Sequence, residues 1–139
     1  MNIIDLVSRN HFVKKLFPDG LTENVFIGQI AFDVGGRFNF NIHTKQKPVM
    51  EVEKWGLWGK DYNVIVIKLN GNISSVKLKN WQDADYSSLI IDSDSHEHSD
   101  SDNVIIHQVG ETWNIKIECC KYIIFNSCDT YFDSGKRVL

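Results

Sequence analysis

Arg37-Phe38-Asn39-Phe40-Asn41-Ile42-His43 decides the fold class. Phe38, Phe40 and Ile42 take every second position, and Arg37, Asn39, Asn41 and His43 fill the positions between. An extended chain therefore sends the apolar set to one side and the polar set to the other, as in a strand with one wet face. The preceding run, residues 25–33, is rich in Val, Ile and Phe, and Gly35-Gly36 can supply the positive φ values that a tight turn requires. Residues 25–43 are thus predicted to form a hairpin.

Period two continues downstream. Residues 61–69 form a long β-rich run, Asn70-Gly71 reads as a turn, and residues 73–78 alternate again, which predicts a second hairpin. Residues 104–109 and 112–118 flank Gly110-Glu111 as a third, with Trp113, Ile115 and Ile117 on its buried face. Pro48 places a strand over residues 49–54 at a sheet edge, since proline cannot donate to a ladder. A last strand is expected over 121–126.

The start of the chain has a different period. Phe12, Val13, Leu16 and Phe17 fall at helical spacings, Asn2 and Asn10 stand where caps would, and Pro18-Asp19-Gly20 is a turn triplet. One bent or broken helical segment is expected over residues 3–17. The reading is a mainly β (α+β) domain spanning 1–139: a β body over 25–126 with about seven or eight strands, as one curved sheet or a two-sheet sandwich.

Composition agrees with one globular domain. The 139 residues are 42% hydrophobic and 24% charged, far from the regime that stays disordered. Residues 1–17 interrupt their apolar positions with Asp5, Arg9, His11, Lys14 and Lys15, so no signal peptide or membrane span is expected. Cys119, Cys120 and Cys128 form neither an even set nor a CxxC pair, which fits a reducing, cytoplasmic setting. A net charge of −3 speaks against a nucleic-acid partner.

The helical start, the segment from Phe12 to Gly20, the hairpin ending in Phe38-Asn39-Phe40, and Lys54-Trp55 before Asn63-Val64-Ile65-Val66-Ile67 together resemble the immunity protein 50 family. Its members are small cytosolic proteins of bacterial polymorphic toxin systems. The resemblance implies a protein that binds and neutralises one cognate toxin, without catalysis, cofactor or membrane. It does not imply what the toxin does.

Two stretches are candidate contacts. Residues 92–102 contain no apolar side chain, and Asp92, Asp94, Glu97, Asp100 and Asp102 concentrate more negative charge than the whole chain's net. If the toxin is a basic nuclease, this segment would steer encounter; otherwise it is a solvated connection. His96 and His98 beside these acids suggest a divalent metal, but flexible Ser and Asp neighbours offer no rigid support, so no metal is assigned. In Trp55-Gly56-Leu57-Trp58-Gly59 the tryptophans read either as core or as exposed binding anchors.

Other constellations argue against chemistry. Glu51/Glu53 and Asp83/Asp85 have the spacing of residues sharing a solvent face, and the glycines match no phosphate loop. Two further classes stay open: a structural or carbohydrate-binding β module stacking sugars on Trp55 or Trp58, and, less favoured, a small hydrolase.

Overall fold

A computed structural model describes residues 1–93 and 102–135. Two short helices, α1 (Ile3–Leu6) and α2 (His11–Leu16), precede seven strands: β1 (Val25–Phe32), β2 (Arg37–Thr44), β3 (Val64–Lys79), β4 (Ile90–Ser93), β5 (Asn103–Val109), β6 (Asn114–Cys120) and β7 (Ile124–Tyr131). Every strand pairing is antiparallel. The expected mainly β architecture is what the chain builds.

The long β3 organises the sheet. Its first half lies between β2 and β7, and its second half pairs β6, which continues through β5 to β4. Two wings of strands thus share one seam. The wings also meet at their far sides: Gln108 of β5 is 1% exposed, and its Nε2 donates to the carbonyls of Val25 (2.9 Å) and Ser87 (3.0 Å). A buried amide is tolerated there because both its donor bonds are satisfied. The curved-sheet alternative is therefore the one adopted, curled far enough that β1 approaches β5.

Inside the curl, Ile27, Phe40, Ile42, Ile65, Ile67 and Leu69 of one wing join Ile106, Ile115 and Ile117 of the other in a single core. Val13, Leu16 and Phe17 close it from the helical side. Each such side chain contributes about 1.5–3 kcal/mol through burial. Asn2 ties the helices down, because its Oδ1 accepts from the N–H groups of Ile4 and Leu21 while Nδ2 donates to the Leu21 carbonyl.

Five expectations are corrected. Asn70-Gly71 is no turn, since β3 runs through it unbroken; Gly71 faces Phe38, whose ring Cε1 lies 2.9 Å from where a Cβ would stand. Residues 49–54 form no strand, and Glu53–Trp55 is a 3-10 turn that ends on the first tryptophan of the pair. Asp92 and Ser93 belong to β4 rather than to a loop, because they pair Ile105 and Val104. The last strand starts at Ile124 and extends to Tyr131, held by β3 along its length. Asn10 does not cap α2 through its side chain, whose Nδ2 donates instead to the Ile4 carbonyl.

Candidate functional site: an aromatic hollow on the outer sheet face

Because side chains alternate across a strand, the residues between the core positions of the first wing form a second surface. One row of this surface runs Phe26, His43, Val66, Asp129 across β1, β2, β3 and β7, and the next pairs Asn41 with Lys68. Between Ile27 and Ile30 the register of β1 slips, so Gly28 and Gln29 together oppose Asn41. That is a bulge, which bends the strand locally. Leu78, at the end of β3, and Trp81, just beyond it, rise beside the row and enclose a cavity of about 770 Å³.

The hollow is rich in rings. Phe26 lies 5.8 Å from His43, edge to face, and 5.8 and 5.9 Å from Trp81 and Tyr86 at tilted angles. Tyr131 stands 5.7 Å from His43, and its hydroxyl is 3.0 Å from Nδ1. Burial holds the His43 pKa below the ordinary histidine value, which favours the neutral imidazole. Burial, reinforced by the neighbouring Tyr131, raises the Tyr86 hydroxyl. Lys45 sits 4.6 Å above the Tyr86 ring and 3.4 Å from Asp133.

The charged groups here are paired with each other: Lys68 with Asp129, and Lys45 with Asp133. The lining contains no Ser, Thr or Cys, and Asp129 is its single carboxylate. The lining brings together ring faces, two amides and one ion pair, and it does not assemble a nucleophile with a base or two carboxylates across a bond. Among the described residues, no three His, Cys, Asp or Glu side chains come together as metal ligands.

The residues singled out in the sequence lie elsewhere. Trp55 and Trp58 are half-buried, with edge-to-face contacts to Tyr62 at 5.8 and 5.3 Å, and Trp55 also meets Phe12 at 5.7 Å. Neither lines the hollow. Asp92 accepts from His107 Nε2 at 2.9 Å, and Asp102 pairs Lys121 at 3.0 Å. Asp92 and Asp102 are thus paired within the chain while their side chains stay exposed. Asp94, Glu97 and Asp100, with His96 and His98, fall outside the described residues. Phe26, Trp81 and Tyr131 carry no joint signal in the sequence because they come from three separate segments. The one available signal was Gly28 within an apolar run, where glycine marks a bulge or a close backbone approach.

Searches against family models, curated proteins and solved structures find no match to this chain. Among the described residues, no helix is long and apolar enough to cross a membrane.

Proposed function

We propose that the protein works by binding a protein partner in a one-to-one complex, and that this partner is a toxin which it neutralises in the cytoplasm. The observation that carries this reading is the outer edge of β1. Val25-Phe26-Ile27-Gly28-Gln29-Ile30-Ala31-Phe32 contains no charge and no proline. Beyond the bridge from Val25 to Ser87, it has no strand on its outer side among the described residues. Charge, proline and bulges are the usual guards of edge strands; β1 has neither charge nor proline, and its bulge at Gly28–Gln29 leaves the Ile30–Phe32 end as the stretch open to strand addition by a partner. Phe32 (58% exposed) and Val34 (75%) stand at its end as apolar contacts.

The resemblance to the immunity protein 50 family supplies the kind of partner. For a basic toxin, the acidic segment from Asp92 to Asp102 accelerates encounter without adding much to the docked complex. Co-expression with the product of the neighbouring reading frame tests the reading directly. The expected result is a stable co-purifying complex and survival of cells expressing that product, both lost in the edge variants Ala31→Lys and Phe32→Lys. Turnover of a substrate by the purified protein, or death of cells despite its presence, overturns it.

A further inference from the structure

We propose that the hollow on the outer face of the first wing is a binding site for a neutral sugar; it shares Phe32 with the proposed partner edge of β1 but extends away from it over β2, β3 and β7. Three observations converge on a ligand that is flat and apolar on one side, hydroxyl-bearing on the other, and uncharged.

The rings that line the hollow do not stack on each other. Phe26 meets Trp81 at 45° and His43 at 81°, and His43 meets Tyr131 at 70°. The one flat stack in the described residues is Phe38 on Phe40, at 5°, inside the core. Phe26, His43 and Trp81 are each partly exposed and Tyr131 is exposed, and the C–H face of a pyranose is a surface that aromatic rings accept.

The lining is mostly apolar, with a smaller polar set that is electrically balanced. Lys68 and Asp129 form an exposed pair whose charges offset each other, so the lining offers no net charge to an ionic ligand. The side-chain amides of Asn41 and Gln29 have no hydrogen-bond partner among the described residues. An entirely apolar occupant, such as a partner's Leu or Phe, would strip water from those amides and from the ion pair and return nothing. Hydroxyls donate and accept at once, so a sugar satisfies an amide, a carboxylate and an ammonium with the same few groups. His43 is already committed, with Nδ1 at the Tyr131 hydroxyl and Nε2 against Gly28. It acts as a wall.

Size agrees as well. A cavity of about 770 Å³ lies within the roughly 300–1,000 Å³ typical of small-ligand sites, and it holds a disaccharide.

The test is titration of the isotope-labelled full chain with methyl β-D-glucopyranoside, methyl β-D-galactopyranoside and N,N′-diacetylchitobiose, followed by amide and indole NMR shifts. Sialyllactose and N-acetyl-L-tryptophanamide serve as the anionic and apolar competitors. At least one neutral sugar is expected to shift the Trp81 indole and the Asn41 amide saturably, with a Kd in the range of about 0.1–10 mM. Asn41→Ala, which leaves the rings in place, should weaken it about tenfold. Trp81→Ala should abolish it, and Asn41→Ala carries the test if that variant does not fold. The proposal is overturned if no neutral sugar shifts these resonances, if the shifts map outside the hollow, if either competitor binds more tightly, or if Asn41→Ala binds unchanged. Loss of sugar binding in Asn41→Ala with toxin protection intact would separate the two sites.

Discussion

The imidazole of His43 rests on the backbone of Gly28, so closely that a Cβ at position 28 would stand 2.5 Å from Nε2. Gly28 does not have positive φ, so the requirement is for space and not for backbone freedom. The contact joins β1 to β2 at the bulge and sets the orientation in which Nδ1 meets Tyr131.

Gly28→Ala should therefore destabilise the fold by about 1–3 kcal/mol through overpacking. Removing the imidazole as well should relieve the clash. In urea unfolding, the double variant Gly28→Ala/His43→Ala is expected to fall short of the summed single losses by about 1 kcal/mol or more. Strict additivity would show that the two residues do not press on each other.

His43 also sets a pH dependence. Its folded pKa lies below the ordinary value of 6.5 because burial disfavours the imidazolium. Between the unfolded value and that lower folded value, the unfolded chain binds more protons, so stability falls as the solution is acidified through this window. Above about pH 7 the contribution is fully present. His43→Gln should flatten that part of the stability profile, measured as the urea midpoint from pH 7.5 down to pH 5.

The thiols should separate by reactivity. Burial pushes both Cys119 and Cys128 up to about 12, so at pH 8 neither carries appreciable thiolate. A thiol reagent is expected to modify Cys120 alone in the native protein and all three in denaturant. Rapid native labelling at Cys119, identified by mass spectrometry, would contradict its fully buried placement.

Continuity of β3 is open to hydrogen exchange. Leu69, Asn70, Gly71 and Asn72 pair Phe40, Asn39, Phe38 and Arg37. Their amides should exchange as part of the sheet, with protection well above that of the Val34–Gly36 turn. Fast exchange at Asn70 and Gly71 would restore the hairpin that their sequence suggests.

That pair illustrates where local reading reached its limit. Asn-Gly prefers a turn when nothing else is at stake, but Phe38 on the neighbouring strand needs a residue without a side chain opposite it. The ladder hydrogen bonds gained by running straight through outweigh a local preference of a few tenths of a kcal/mol to about 1 kcal/mol. Likewise, residues 49–54 carry strand-like alternation but find no neighbouring strand to pair with. Trp55 and Trp58 drew attention by their size, and the structure packs both against Tyr62.

By itself, the sequence determined the mainly antiparallel fold, the broken N-terminal helix, the hairpins at Gly35-Gly36 and Gly110-Glu111, and the inward positions of Phe38, Phe40, Ile42, Ile115 and Ile117. These follow from periodicity and turn chemistry, which act over a few neighbouring residues. Only the tertiary structure decided that the sheet curls until Gln108 reaches Val25, and that Phe26, His43, Trp81 and Tyr131 share one hollow. Those relationships join residues far apart in the chain and depend on how β3 is shared between two wings, which periodicity over a few neighbours does not encode.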